Sequence, residues 1–174
     1  MPSLKPALMA LLAAAVVSVQ AQQGPSDPQI AAIVVTANQV DIDAGKLAKS
    51  HSKNQEVQEF AQRMITDHTA VNKQAGALVK KLKVTPEESD TSRALKSAAK
   101  ETATKHKALK GAAFDKAYAD NEVAYHQQVL DAIDKVLIPN ASNAELKGLL
   151  EKVRPAIAAH LEHARMMASS LARK

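Results

Sequence analysis

The sequence predicts an all-α protein in which four long helices form two antiparallel hairpins, with an additional helix in the long connection between the hairpins. Apolar residues recur at three- and four-residue steps through four long segments. Glycines number only 5 in 174 residues, and Ala, Leu, Lys and Glu, which lose little on entering a helix, are abundant. The one strand-like run, IAAIVV, is short and continues a helical stripe. The length suits one domain with its own core.

Residues 1–21 predict a cleaved secretory signal that precedes the bundle. Lys5 gives a short positive region, the run ALMALLAAAVVSV is apolar, and residues 19–21 form a signal-peptidase site. The apolar run is shorter than the roughly 20 residues that span a bilayer, although an uncleaved anchor is the alternative. We therefore expect a mature chain from about Gln22, in the periplasm or secreted.

Charge and cysteine content limit the function classes. The chain has no cysteine, so it is not stapled by disulfides and folds by burial alone. Its net charge of +5 is partly carried by a lysine-rich connection. Nucleic acid is disfavoured because aromatic platforms for bases are missing. A solvated helix face is the simpler interpretation of these lysines, and weak contact with an anionic envelope surface is the other: Lys96, Lys100, Lys105, Lys107 and Lys110.

The helical domain is predicted over residues 27–174, after a short linker at 22–26. The first helix is expected from Asp27, acting as the N-cap before Pro28, to about Ser50. Its apolar stripe is Ile30, Ile33, Val34, Ala37, Val40, Ala44, Leu47 and Ala48.

The second helix is expected to begin near Ser52, which can form a capping box with Gln55, and to end before Pro86. A weaker helix, starting near residues 89–91, then fills the connection. Gly111 is expected to separate it from the third long helix.

The third long helix is predicted from Ala112 to about Ile138, where Pro139 ends it. The fourth is expected from Ser142, with Glu145 completing a second capping box, to the last residues of the chain. Pro155 should kink this helix or start a new turn. Two hairpins joined by one long crossover are the layout of a ferritin-like bundle.

Each of the four long helices carries an ionisable group on its apolar face. At 100° per residue, Asp41 and His68 lie within the stripes of the first and second helices. Glu122 lies within the stripe of the third helix, with His126 on its flank, and His160 lies on the stripe of the fourth. Because an unpaired buried charge costs several kcal/mol, these groups should contact one another or a cation.

Heights along the bundle give a partial test of this convergence. Glu122 and His160 fall at nearly one level, whereas Asp41 and His68 differ by roughly 7 Å at 1.5 Å per residue. Oxygen and imidazole ligands from separate helices suit Fe, Mn, Zn or Cu. The alternative is a buried hydrogen-bond network in which an aspartate holds a neutral histidine. Three further histidines are expected on the surface or in loops: His51, His106 and His163.

Four segments carry a resemblance to a known family: GKLAKSHSKNQEVQEFAQRMITDH, FDKAY, His126 and RPAIAAHLEHA. Over about residues 27–171 the chain resembles the domain of unknown function 4142 family, secreted bacterial proteins with a ferritin-like fold. The resemblance brings no established activity, and Asp41 stands where Glu is usual. It implies that six residues match the family's motif positions: Asp67, His68, Asp115, Tyr118, His126 and His160.

Ferritins build their di-iron site with Glu-x-x-His on two helices, and this chain has no such motif. No nucleophile and base at suggestive spacing and no glycine-rich phosphate loop point to an enzyme acting on an organic substrate. One hypothesis is a periplasmic metal-binding or redox-protective protein. The other is a structural or interaction module whose buried polar groups only fix helix packing. The metal hypothesis uses Asp41, His68, Glu122, His126 and His160, supported by Asp67, Asp115 and Tyr118.

Overall fold

The computed structural model describes residues 24–173, and the predicted signal at 1–21 lies outside this part of the chain. Within the described residues there is no strand, which confirms the all-α prediction. None of the described helices is long and apolar enough to span a bilayer. The helices are α1 (Asp27–His51), α2 (Gln55–Leu82), α3 (Asp90–Lys107), α4 (Ala112–Ala132), α5 (Ile138–Asn140) and α6 (Ala144–Leu171), with a π-helical turn at Ile133–Leu137 between α4 and α5.

The long helices pack as two hairpins, α1 with α2 and α4 with α6. Helix α3, in the connection, packs against α1 and touches α4. Gly45 of α1 faces α2 so closely that a Cβ atom there would lie 2.9 Å from the carbonyl oxygen of Ala61. A larger residue at this position would force the first hairpin apart.

The start of α1 is one residue earlier than predicted. Ser26 is the N-cap, and its backbone N–H donates to Gln29 Oε1 at 3.1 Å. Asp27 instead bonds the residues just before α6: its two carboxylate oxygens accept the backbone N–H groups of Ser142 and Asn143, each at 2.9 Å. The first residue of α1 thus satisfies donors just before the last helix.

The capping boxes predicted at Ser52 and Ser142 are wrong, because an asparagine closer to each helix takes the N-cap. Asn54 Oδ1 accepts the backbone N–H of Glu56 at 3.0 Å. Asn143 Oδ1 accepts the N–H of Glu145 at 2.9 Å. Asn equals Ser as an N-cap, and these side chains reach the first exposed donors of α2 and α6 directly.

Gly111 separates α3 from α4, as predicted, and its φ of +56° is a conformation that glycine adopts without steric cost. Pro139 was expected to end the third long helix, and Pro155 to kink the fourth or start a new turn; the kink at Pro155 stays a prediction. Pro139 lies within the short helix α5 after the π-helical turn, and α6 continues through Pro155 without interruption. The α-helical pattern of α4 changes to the π-helical turn after Ala132, and the helical segment as a whole ends at Asn140, two residues beyond the predicted end at about Ile138.

The buried apolar residues form two clusters along the bundle. The first, here named the aromatic half, consists of Ala48, Val57, Phe60, Ala61, Met64, Phe114, Tyr118, Ala119, Ala164 and Met167. The second, named the aliphatic half, consists of Ile30, Ile33, Val34, Ala75, Ile133, Leu137, Leu146, Leu150 and Ile157.

The lysines of the connection are exposed, and part of their charge is paired locally. Lys96 contacts the carboxylate of Glu88, and Lys105 Nζ lies 2.7 Å from Glu101 Oε1. These exposed pairs contribute little to stability. Contact of this surface with an anionic envelope stays a prediction.

Candidate metal centre

Five ionisable side chains from four helices meet between the aromatic and aliphatic halves. Helices α1, α2 and α6 contribute one each, and α4 contributes two. None is more than 5% exposed, so the group is withdrawn from bulk water. They are the five residues that the sequence predicted as metal ligands: Asp41, His68, Glu122, His126 and His160.

The three histidine rings form a triangle. Ring centroids lie 5.3 Å apart for His68 and His160, 5.5 Å for His126 and His160, and 5.8 Å for His68 and His126. One nitrogen from each ring lies within 4.8 Å of the other two. A second group, made of Asp41, Glu122 and His126, meets the same distance limit. The two groups share His126 and form one site.

His68 is oriented by Asn38, which the sequence interpretation did not identify. The Asn38 amide donates through Nδ2 to the carbonyl of Val34 at 2.8 Å, which turns its Oδ1 toward His68 Nδ1, 2.6 Å away. An amide oxygen only accepts, so the hydrogen belongs to Nδ1 and the other nitrogen, Nε2, keeps its lone pair in the neutral ring. Asn38 precedes Asp41 by one helical turn, a spacing that could have identified it.

The other two rings are held in the same way. His126 Nδ1 donates to the backbone carbonyl of Glu122 at 2.9 Å, which leaves Nε2 free. His160 Nε2 donates to Asp67 Oδ2 at 2.9 Å, which leaves Nδ1 free. Asp67, which precedes His68 in the sequence, thus orients the ring of His160. A metal-binding histidine typically donates its second ring nitrogen to such an acceptor.

The contact between Asp41 and His68 requires a cation. Asp41 Oδ2 lies 2.6 Å from His68 Nε2, yet neither atom makes an aligned hydrogen bond with any described residue. A carboxylate oxygen and an imidazole lone pair at this distance repel each other. Either a proton or a metal ion must therefore sit with them.

The two carboxyl groups have opposite pKa shifts. Burial acts to raise the pKa of Asp41, but the contacts with His126 and His68 outweigh it and hold the pKa well below its ordinary value. Burial, reinforced by the charge of Asp41, raises the pKa of Glu122 well above its ordinary value. The metal-free site thus favours one carboxylate and one protonated carboxyl group.

Two tyrosines flank these carboxyl groups. The Tyr118 hydroxyl is buried without a partner among the described residues, and burial followed by the charges of Glu122 and Asp41 raises its pKa well above the ordinary value. The Tyr125 hydroxyl donates to the carbonyl of Ala37 at 2.7 Å. Tyr118 therefore adds a neutral phenol next to the site.

Asp115 does not belong to the centre, although the resemblance grouped it with the motif residues. It precedes Glu122 by seven residues, about 10 Å along α4 at 1.5 Å per residue. It is buried near the start of α4 and lines a surface pocket with His51 and Gly111. Asp115 thus lies at the end of the bundle where α1 connects to α2.

The expected mismatch in height between Asp41 and His68 is absent. Side chains on a helix lean toward its N-terminus. In the first hairpin, Asp41 therefore leans away from the α1–α2 loop and His68 leans toward it, which brings the two to one level. Counting residues from the loop omitted this tilt.

The remaining histidines only partly follow expectation. His51 is exposed, as predicted. His106 is buried, which contradicts the prediction, because α3 packs its last turn against Phe114, with ring centroids 6.0 Å apart. Burial lowers the pKa of His106. His163 is half-buried beside Phe60, with centroids 5.1 Å apart.

Comparison with known proteins gives a family and no function. The family model described as Domain of unknown function (DUF4142) matches residues 13–167. No curated protein and no solved structure matches the chain. The ferritin-like arrangement therefore stays a prediction. Because the family model covers most of the sequence, the chain belongs to the DUF4142 family.

Proposed function

We propose that this protein binds one first-row transition-metal ion between its two hairpins. The ligand atoms are His68 Nε2, His126 Nε2, His160 Nδ1 and an oxygen of Asp41, with the Glu122 carboxylate available as a fifth ligand. The observation that carries the proposal is the common orientation of the three rings: each has one nitrogen bonded outward and the other unpartnered and turned inward.

The donor set limits the class of ion. Three neutral imidazoles with one or two carboxylates suit Fe, Mn, Zn or Cu, whereas Mg²⁺ and Ca²⁺ prefer oxygen ligands throughout. A dipositive ion would neutralise Asp41 and an ionised Glu122. It would also replace the proton that the contact between Asp41 and His68 otherwise needs.

A network that only fixes helix packing is less well supported. It would explain the three outward hydrogen bonds, and a proton between Asp41 Oδ2 and His68 Nε2 would pair those two atoms. It leaves the other inward atoms without an aligned hydrogen bond. Each buried group left unpaired costs about 1–3 kcal/mol, and a charged group costs more. The inward atoms that make no aligned hydrogen bond with the described residues are Asp41 Oδ1 and Oδ2, His68 Nε2, Glu122 Oε1 and Oε2, His126 Nε2 and His160 Nδ1.

The proposed cellular role is metal handling or redox protection in the bacterial envelope. Support for the location comes from the signal predicted at residues 1–21, and support for the chemistry comes from the buried nitrogen and oxygen ligands. Burial of all five ligands favours retention of the ion over rapid exchange.

The decisive experiment is metal titration of the metal-free protein. Calorimetry with Zn²⁺, Mn²⁺ and Cu²⁺, and with Fe²⁺ under anaerobic conditions, should show that one ion binds per chain. The spectrum of the bound Co²⁺ ion should indicate nitrogen and oxygen ligands. The variants His126→Gln and His160→Gln should lose this binding while remaining helical by circular dichroism. His51→Gln, at an exposed position, is the matched control and should bind like the parent. Unchanged affinity in both site variants would refute the proposal.

A further inference from the structure

A cavity of about 110 Å³ adjoins the metal centre on its aliphatic side and is partly open to the surface. Its wall is almost entirely carbon. Its lining includes Asn38, His68 and His126. The apolar wall includes Ile33, Val34, Val129, Ile133, Leu150 and Ile157.

The cavity is bordered by the π-helical turn at Ile133–Leu137. Both end residues of this turn are buried, and both line the cavity. Such turns are rare and recur at functional sites. This one is held in place by Asp134, whose two carboxylate oxygens accept from Arg154 Nε and Nη2 of α6 at 2.6 and 2.7 Å. The backbone irregularity is thus fixed at the cavity wall.

Where the cavity meets the centre, several polar side chains are already bonded within the protein. Asn38 and His68 are bonded to each other, and the hydroxyl of Tyr125, also in the wall, is bonded to the carbonyl of Ala37. In the metal-free protein His68 Nε2 and His126 Nε2 keep lone pairs for a metal ion. The carbon wall, by contrast, offers an anion or a polar molecule nothing that replaces its hydration, and that loss costs several kcal/mol. An uncharged apolar molecule would lose nothing.

We propose that this cavity is a binding pocket for a small, uncharged, apolar molecule, no larger than benzene and seated against His68 and His126. A dry, carbon-lined cavity of about 150 Å³ binds benzene or xenon, so the volume here is of the right scale. Dioxygen belongs to the same chemical class. Binding of a small molecule in this pocket does not depend on a metal. A second role, in which the pocket gives such a molecule access to a bound ion, rests on the proposed function.

The test uses xenon under pressure with the metal-free protein and methyl-labelled nuclear magnetic resonance. Xenon should shift the methyl signals of Ile33 and Ile133 in a saturable manner and leave those of Met64 and Met167, in the aromatic half, unchanged. Ala132→Leu places a larger side chain in the wall and should abolish the shifts. Ala113→Leu, on an exposed position of the same helix, should preserve them.

Metal titration of the same variant separates this proposal from the preceding one. Ala132→Leu should bind one metal ion like the parent, because no ligand is altered. Metal binding without saturable xenon shifts, or equal shifts in both halves of the core, would overturn the pocket alone. If xenon binds but the parent protein takes up no metal, the pocket proposal is supported and the proposed function is overturned.

Discussion

The aromatic and aliphatic halves of the core are packed differently, although the same long helices build both. Every buried member of the aromatic half is at most 1% exposed, and its rings contact each other, with Phe114 and Tyr118 stacked at 6.3 Å and Phe60 edge-on to Tyr118 at 6.2 Å. The aliphatic half contains the cavity and the π-helical turn. The aromatic half thus fixes the spacing of the helices that carry the candidate ligands, and the aliphatic half leaves room beside them.

Truncating one large side chain in each half should give the largest difference between the halves in the loss of stability. We expect Phe60→Ala to lower the free energy of unfolding by about 3–5 kcal/mol, because a fully packed ring leaves a void. Leu150→Ala should cost near the lower end of the usual 2–5 kcal/mol, since Leu150 already faces the cavity. Urea unfolding with circular dichroism gives both values. Equal losses would show that the halves do not differ in packing.

Metal binding at the site between the two halves should stabilise the whole protein against unfolding. At 100 times its dissociation constant, a bound ion should stabilise the protein by about 2.7 kcal/mol. The increase should vanish in His126→Gln and persist in His51→Gln. Thermal unfolding at graded metal concentrations measures the effect, and an equal increase in all three proteins would indicate nonspecific binding.

Enlarging one alanine in each half should have opposite effects. Ala132→Leu should stabilise the metal-free protein by about 0.5–2 kcal/mol, the usual gain from filling a cavity. Ala119→Leu, at a fully buried position of the aromatic half, should destabilise it by about 1–3 kcal/mol through overpacking. Denaturant midpoints measure both. A loss in Ala132→Leu would mean that the cavity wall cannot accommodate the added carbons.

The smallest expected effect is a pH dependence at the edge of the aromatic half. Burial lowers the pKa of His106 below 6.5, so the folded protein favours the neutral ring. The free energy of unfolding should therefore fall as the pH falls from 6.5 toward the lowered pKa, because the unfolded chain binds the proton more tightly. His106→Leu should reduce the loss of stability between neutral and mildly acidic pH. Unfolding midpoints on both sides of 6.5 test this. Thr104→Leu, at an exposed position of α3, should keep the parent's pH dependence.

On the long helices, the periodicity of the sequence was sufficient to predict the five ionisable residues of the candidate centre, because a stripe on a helix has only one face. It failed for His106, whose helix carries only a thin stripe. It could not reveal the π-helical turn, since Ile133 and Leu137 are apolar and continue the stripe. Periodicity of ionisable groups could not identify Asn38, because the residue that orients His68 is a neutral acceptor. The N-caps were misplaced because Ser52 and Asn54 are equally suitable and only the loop geometry selects between them.

The hydrogen bonds from Ser142 and Asn143 to Asp27 have a consequence for the order of folding. They join residues 115 and 116 positions apart, so they cannot form until the crossover connection has brought the second hairpin back to the first. Closing so long a loop is slow relative to forming a local hairpin. Each hairpin should therefore assemble from neighbouring segments first, and the hydrogen bonds from Asp27 that fix the segment before the last helix should form only when the two hairpins dock.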